Sequence, residues 1–308
     1  MSKSLHTLGE FGLIDEIKKM TRTDASVLLG IGDDAAVLAF AAGGKILFTT
    51  DMLIEGRHFC RSQASGFEIG RKAMAVNVSD IAAMGGMPTH AVVSVGLPKD
   101  LNVKYVKRLY AGIQDVARRF RVNIVGGDTN ASDKLVIAIA LLGTCGKHPP
   151  VTRSGAQAGD VIFVSGDLGG SYASKKHLNF TPRIAEAQYL VKNYKINSMM
   201  DLSDGLSSDI YRLTKASHVG AAILQEAIPV SAKAKHLDAA LSEGEDFELL
   251  FTLSSKEAAR LTLADKPKIL ATFCPIGKVM PQKYGVQLIK SDGQRKVLFE
   301  KGHDHFRG

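Results

Sequence analysis

The chain has 308 residues, of which 45% are hydrophobic and 23% are charged. This length predicts two domains of about 150 residues each, and this composition excludes a largely disordered chain. The formal net charge of +8 favours an anionic ligand. Because the basic residues are scattered and are not interleaved with aromatic residues, a small phosphorylated ligand is favoured over a nucleic acid.

The cysteines predict neither a metal site nor a disulfide framework. Cys60, Cys145 and Cys274 are far apart and show no CxxC spacing. The beginning of the chain has no basic and then apolar leader, and the longest apolar run, 135–142, is too short to cross a bilayer. We therefore expect a cytoplasmic protein with no membrane partner.

The first half of the chain alternates between helical and extended patterns. The segment 103–120 has the clearest helical pattern, because its apolar residues recur on one face. The alanine-rich segment 68–84 is followed by two glycines and a proline, which end a helix. Helices are predicted at 10–20, 68–84 and 103–120, and strands at 45–50, 91–97, 123–125 and 134–142.

The pattern breaks between residues 146 and 159, where two prolines and further glycines occur. We therefore predict two domains, 1–146 and 147–308. The second half again alternates between the two patterns, and a tight turn is predicted at 291–293. Strands are predicted at 161–165, 221–225, 247–253, 269–273 and 286–289, and helices at 183–194, 207–217, 231–241 and 256–264.

Acidic residues recur beside small and hydroxyl residues at predicted strand or helix ends. Carboxylate and hydroxyl oxygens are the hard donors that Mg²⁺ prefers over nitrogen or sulfur. Carboxylates that converge in one cleft repel one another, so cations must lie between them. With a polyphosphate ligand, more than one Mg²⁺ ion is predicted. The segments are Asp33-Asp34, Thr49-Thr50-Asp51, Asn77 to Asp80, Gly127-Asp128-Thr129 and Asp201 to Asp204.

Each of these residues also has a structural explanation. Asp51 and Asp128 could be turn residues, and Asp204 could cap the helix that follows it. Asp80 is harder to explain in this way, because a carboxylate is costly in an apolar helix.

Arg153 and His58 likewise allow two interpretations. Arg153 either pairs with Asp160 or holds a phosphate through two parallel hydrogen bonds. His58 either contacts a ligand or lies on the surface, and the glycine-rich segment 166–170 is either a phosphate loop or a turn. The P-loop, dinucleotide-binding and protein-kinase motifs are absent, and no catalytic triad can be proposed.

A set of motifs spans nearly the whole chain in a fixed order: GIGDDAAV, TTDMLIEGRHF, AVNVSDIAAMGG, GGDT, VTRSGAQAGD, DLSDGL and GEDFELLF. With this set the sequence resembles the thiamine-monophosphate kinase family, of the aminoimidazole ribonucleotide synthetase-like superfamily. The resemblance implies an α/β (α+β) fold of two domains, with mixed sheets covered by helices. It also implies a homodimer that forms through the sheet of the N-terminal domain.

The resemblance implies roles for individual residues, carried over by motif. The expected magnesium ligands are Asp34, Thr49, Thr50, Asp51, Asp80, Asp128, Asp201 and Asp204. The expected ATP contacts are Tyr110, Gly127, Asp128, Arg153 and Ser203, and those to thiamine monophosphate are His58, Glu245 and Phe306. The expected catalytic residues are Asp51, Asp128, Arg153 and Asp204.

The implied reaction is direct, in-line transfer of the γ-phosphoryl group of ATP onto the phosphate of thiamine monophosphate. The acceptor phosphate is ionised at neutral pH, so metal ions and Arg153 need only position the groups and offset charge. Within the acidic pair, we interpret Asp34 as the direct metal ligand and Asp33 as support for the loop or as a ligand that binds through water.

Two segments depart from the family pattern. The segment 170–181 is shorter and carries Lys175-Lys176-His177, and His303 stands where an aromatic residue is common. Both lie in the substrate half of the chain. Two alternative functions therefore remain: another ATP-dependent synthase that acts on a different phosphorylated molecule, and a magnesium-nucleotide binding protein without turnover.

Overall fold

The computed structural model describes residues 5–20, 23–40, 44–265, 267–268 and 270–302, which form helices and two mixed sheets. The α-helices are α1 Leu5–Met20, α2 Gly66–Ala83, α3 Val103–Arg119, α4 Lys176–Asn179, α5 Ile184–Asn193, α6 Leu206–Ser217, α7 Leu237–Ser242 and α8 Ser255–Leu263. The strands are β1 Val27–Leu29, β2 Ala36–Ala39, β3 Lys45–Ile54, β4 Met87–Leu97, β5 Asn123–Ala131, β6 Val136–Thr144, β7 Val161–Ser165, β8 Ile196–Asp201, β9 Val219–Leu224, β10 Leu249–Leu253, β11 Phe273–Pro281, β12 Val286–Ile289 and β13 Arg295–Val297. Among the helices described, none combines the length and the apolarity that crossing a lipid bilayer requires.

The first sheet has six strands in the order β1-β2-β3-β6-β4-β5. β4 and β5 are parallel, and the other neighbours are antiparallel. Along β6, Ile137, Ile139 and Leu141 are buried and alternate with half-buried residues. This alternation is typical of a sheet with one face against a core, and α2 and α3 form that core with the sheet.

Glycines allow α2 and α3 to approach each other closely. A Cβ at Gly70 would lie 2.0 Å from the carbonyl oxygen of Leu109, and one at Gly112 would lie 1.9 Å from that of Phe67. Neither position can hold a larger residue without separating the helices. Gly70 on α2 and Gly112 on α3 therefore set the spacing between the helices.

The opposite face of the first sheet, here called the outer face, exposes apolar side chains. Phe48 and Met52 on β3 and Val92 on β4 are all exposed, and Met52 has 54% of its surface accessible. Their sequence neighbours point to the buried face, as the two-residue period of a strand requires.

The second sheet has seven strands in the order β13-β12-β9-β11-β7-β10-β8. Its strands β7 and β10 are buried on both faces. On one face Phe163 and Phe251 stack with ring centroids 5.3 Å apart and join the core of the first sheet. On the other face Ile162 and Leu250 belong to a separate core that includes residues of α6.

α2 connects the two halves of the chain. The Ser79 hydroxyl donates a hydrogen bond to Asp201 at the end of β8, with an oxygen to oxygen distance of 2.6 Å. The amide of Gln188 on α5 donates to the carbonyl oxygen of Gly85, just beyond α2, at 2.9 Å. Contacts from α2 therefore hold the second half of the chain against the first.

The structure corrects two predicted elements. The predicted strand 269–273 is wrong, since the strand β11 instead begins at Phe273 and continues to Pro281. Its Pro275 lies at an irregularity in the pairing with β7, where a missing N–H is tolerated. The predicted helix 231–241 begins too early, because residues 231–236 are irregular and the helix runs from Leu237 to Ser242.

Candidate active site

A cleft of about 870 Å³ lies between the two halves of the chain. β2 pairs with β3 only along residues 45–48, so the edge of β3 beyond Phe48 is free to form one wall. The backbone N–H of Asp51 on this edge donates to the side chain of Asn77 on α2. Residues of the segments 30–36, 48–54, 203–204 and 243–247 line the cleft together with Arg153 and Arg212.

Three carboxylates converge in the cleft. Asp34, Asp80 and Asp201 each offer an oxygen, and these oxygens lie within 4.8 Å of one another. Asp34 precedes β2, Asp80 is on α2 and Asp201 ends β8, so three separate elements supply them. Thr49 donates a hydrogen bond to Asp80, which helps to fix its orientation.

The local environment opposes ionisation of these carboxylates. Burial raises the pKa of Asp80 and of Asp201 well above the usual range, and neighbouring carboxylates raise both further. Burial also raises the pKa of Asp51 to about 6, and Asp204 and Asp34 contribute to that shift. A full set of negative charges in this cleft therefore requires added cations.

Arg153 supplies one cation from the chain itself. Its guanidinium donates to both oxygens of Asp34, at 2.6 and 3.2 Å, and its backbone N–H donates to Asp33. Asp33 also accepts the backbone N–H of Asp34, so it shapes the loop as its sequence context predicted. The alternative pairing of Arg153 is wrong, because Asp160 accepts from Gln157 and Asn197 instead.

The donor set of the cleft fits Mg²⁺. It consists of carboxylate and hydroxyl oxygens, which are the ligands that Mg²⁺ prefers, and contains no cysteine. The three closely spaced carboxylates and their raised pKa values are consistent with a site that is completed by a divalent ion. Asp34, Asp80 and Asp201 are the residues best placed to hold it.

A buried lysine connects the two halves of the chain on the other side of the cleft. Lys72 on α2 is fully buried, and its ammonium donates to both carboxylate oxygens of Glu245 at 2.6 and 2.7 Å. It also donates to the carbonyl oxygen of His58 at 2.7 Å. Lys72 is not among the site residues predicted from the sequence, although a lysine within a helix of small and apolar residues is an unusual signal.

A second arginine was also missed. Arg212 on α6 lines the cleft and pairs with Asp204 at 2.5 Å and with the buried Asp209 behind it. Its guanidinium lies 3.8 Å from the ring centroid of Phe11. Burial raises the pKa of Asp209 to about 7. Asp204 is thus already paired with a cation of the chain, unlike Asp80, whose described contacts include no such pair. Ser203 lines the cleft beside Asp204.

Several predicted site residues lie outside this cleft. The strand register aligns Asp128 on β5, through β4 and β6, with Met52 on β3. Asp128 therefore lies on the outer face, like Met52. It is three strands away from β3, which is about 14 Å at the usual spacing between strands. Its carboxylate accepts from Thr129 and Asn130. The remaining ones are Gly127, which is also on β5, and Tyr110, which packs against the first core from α3.

The ligand roles of Tyr110, Gly127 and Asp128 stay predictions. Gly127 has no room for a side chain, because a Cβ there would lie 1.8 Å from the carbonyl oxygen of Val93. Phe306 lies outside the described residues.

Family comparisons place the fold in a known class. The models described as AIR synthase related protein, N-terminal domain and C-terminal domain match residues 32–145 and 157–289. Two similar relatives are the thiamine-monophosphate kinases of Aquifex aeolicus, 39% identical over 80% of this chain and 87% of its own length, and of Buchnera aphidicola subsp. Acyrthosiphon pisum, 34% identical over 96% and 98%. This chain belongs to the thiamine-monophosphate kinase family.

A solved structure agrees with this assignment. AaThiL complexed with AMPPCP and TMP superimposes with a TM-score of 0.85 at 35% identity, and the match covers 99% of each chain. The expected family and two-domain mixed α/β fold are therefore confirmed.

Proposed function

We propose that this protein transfers the γ-phosphoryl group of ATP to the phosphate of thiamine monophosphate, giving thiamine diphosphate and ADP. The observation that carries this proposal is the convergence of Asp34, Asp80 and Asp201 in a cleft that also holds Arg153. The relatives are named thiamine-monophosphate kinases, and these names support thiamine monophosphate as the acceptor over the different phosphorylated molecule on which another ATP-dependent synthase would act.

Charge balance gives each group in the cleft a role. Bound Mg²⁺ supplies positive charge between the carboxylates and the phosphates of the nucleotide. Asp34, Asp51, Asp80 and Asp201 would hold the metal, and Thr49, Thr50 and Asp204 would extend the donor set. The two parallel N–H groups of Arg153, which donate to Asp34 in this structure, would hold a phosphate of the nucleotide.

In this proposal the acceptor enters from the side of His58 and Glu245. Both residues line the cleft, and Lys72 joins them. The phosphate of the acceptor is ionised near neutral pH, so its oxygen attacks the γ-phosphorus without transfer of a proton. The chain then needs only to align the two phosphates and to exclude water.

We also propose a homodimer in which the outer faces of two first sheets meet. The exposed apolar side chains of Phe48, Met52 and Val92 favour burial against a second copy. The division of the chain into domains 1–146 and 147–308 belongs to the same proposal. Tyr110, Gly127 and Asp128, which do not line the cleft, would contact the part of the nucleotide that extends beyond it.

Direct assay of turnover tests the function. The protein is incubated with MgATP and thiamine monophosphate, and thiamine diphosphate and ADP are measured by chromatography. We expect equal amounts of the two products and no thiamine diphosphate after EDTA is added. ATP binding without product would contradict the kinase function and support a nucleotide-binding protein, while ADP formation only with another phosphomonoester would support a different acceptor.

A further inference from the structure

Residues 170–177, which belong to the segment 170–181 that departs from the family pattern, form part of the wall on the acceptor side. The backbone N–H of Gly170 donates to the carboxylate of Glu243 at 2.7 Å, and the Ser171 hydroxyl donates to the carbonyl oxygen of Glu245 at 2.6 Å. Gly170 has a left-handed φ of 69°, and a Cβ there would lie 2.5 Å from the backbone of Lys233. These contacts hold the segment firmly against the residues 243–245.

The contacts of this segment hold one aromatic ring at the cleft. Tyr172 lines the cleft and keeps 45% of its surface exposed. The buried His177 lies behind the ring, with centroids 4.6 Å apart, and burial together with the nearby Glu245 raises the pKa of the Tyr172 hydroxyl. A partly exposed aromatic ring that is fixed from behind is a preformed surface for stacking.

We propose that Tyr172 is a specificity-determining residue whose ring stacks on the cationic heteroaromatic ring of the acceptor. This inference deepens the proposed function and rests on it for the identity of the acceptor. Thiamine monophosphate carries a positively charged thiazolium ring, and the face of a tyrosine ring attracts such a cation. The carboxylate of Glu243 lies beside Tyr172 and adds negative charge at the same place, whereas the charge of Glu245 is balanced by Lys72.

The charges around Tyr172 favour the acceptor over the adenine of ATP as the stacking partner. Adenine is neutral and gains nothing from a neighbouring carboxylate. Lys72 is buried and its charge is balanced by Glu245, so the exposed surface at Tyr172 keeps the negative charge of Glu243. A cationic ring is therefore the better match.

The absence of tryptophan from the whole sequence allows a direct binding test. In the Tyr172→Trp variant, a single indole replaces the ring at the cleft. We expect a saturable loss of its fluorescence when thiamine monophosphate is added and none when the ATP analogue AMPPCP is added with Mg²⁺. The control is Tyr284→Trp, because Tyr284 is 43% exposed and lies outside the cleft, and we expect its signal to stay constant with either ligand.

Kinetics provides the second readout. We expect Tyr172→Ala to raise KM for thiamine monophosphate about tenfold, and Tyr172→Phe, which keeps the ring, to raise it less than about threefold. KM for ATP and kcat should stay near the wild-type values in both variants. A merely structural role would lower kcat or change both KM values together.

The outcomes separate this inference from the proposed function. If the wild type forms no thiamine diphosphate, the proposed function fails, and the fluorescence titration still decides whether the acceptor stacks at this position. If the wild type turns over while AMPPCP alone quenches Tyr172→Trp, or while Tyr172→Ala leaves KM for the acceptor unchanged, the inference is overturned.

Discussion

Two groups of buried carboxylates in this protein are balanced in different ways. The first group lies in the cleft and includes Asp80 and Asp201, and the second group consists of Asp246 and Glu248. At the second group, Glu248 is 1% exposed, accepts two hydrogen bonds from Arg183 at 2.6 Å and one from Lys176 at 2.8 Å. At the cleft, Asp80 and Asp201 accept from Thr49 and from Ser79. The chain thus supplies cations where a carboxylate is structural. At the cleft it leaves an excess of negative charge that a metal ion and its nucleotide can use.

The largest effect is expected from a substitution among the carboxylates of the cleft. Asp51→Asn removes a carboxylate whose pKa burial raises to about 6. We expect kcat/KM to fall about a thousandfold, because metal and phosphate charge are no longer balanced. The metal-free variant should be at least as stable as the wild type, since a repulsive group is gone. Both quantities are measured, by steady-state kinetics and by thermal unfolding with and without Mg²⁺.

A smaller stabilisation by Mg²⁺ in Asp51→Asn than in the wild type would support this assignment. Full activity in the variant would show that Asp51 does not bind the metal. Loss of stability without Mg²⁺ would show that its charge is structural, as that of Glu248 is.

The next effect tests the group that is balanced by the chain. Glu248→Gln leaves Arg183 and Lys176 without their full negative partner. We expect the free energy of unfolding to fall by about 3 kcal/mol, at the lower end for a buried pair because both cations are partly exposed. Urea denaturation in the presence and absence of Mg²⁺ measures it.

The matched control for that prediction is Glu226→Gln, because Glu226 is exposed, and we expect a change within about 0.5 kcal/mol. The stabilisation that Mg²⁺ gives should be the same in Glu248→Gln as in the wild type. If Mg²⁺ alone restored the lost stability, the two groups of carboxylates would not be independent.

The sequence was sufficient for the parts of the site that lie in short motifs. Asp34, Asp80 and Asp201 stand in segments whose small residues and hydroxyls are visible locally, and the structure brings all three together. The resemblance of the sequence motifs to a known family also implied the two-domain fold, which the comparisons confirm. These features depend on residues close in sequence.

The missed features depend on contacts between distant segments. Lys72 pairs with Glu245 across 173 positions, and neither residue identifies the other in the sequence. The strand β11 was misplaced because Pro275 argues against a strand, and only the pairing with β7 reveals the irregularity that accommodates it. The ligand role of Asp128 stays a prediction, and the sequence alone does not show that the register of its strand places it on the outer face.

The smallest effect is expected from Asp246 in the second group. Asp246 accepts two hydrogen bonds from the backbone N–H of Gly169, and the Lys176 ammonium lies 3.9 Å away, so its charge is less well compensated than that of Glu248. Burial raises the pKa of Asp246 to about 7 from an ordinary 3.8. Because the folded protein holds this proton more tightly than the unfolded chain, the stability from this group is full below 3.8 and is lost as the pH rises through about 7. Asn does not titrate, so the free energy of unfolding of Asp246→Asn relative to the wild type should rise by about 2 kcal/mol from about pH 5 to about pH 8.

Urea denaturation at both pH values, with saturating Mg²⁺ to keep the cleft in one state, measures that difference. The exposed Asp238→Asn variant controls for the loss of one negative charge. Parallel pH curves for Asp246→Asn and the wild type would show that Lys176 and Gly169 compensate Asp246 fully. In that case every carboxylate of the second group would be fully balanced by groups of the chain. The difference from the cleft, whose carboxylates are not balanced in this way, would then be larger than the geometry alone suggests.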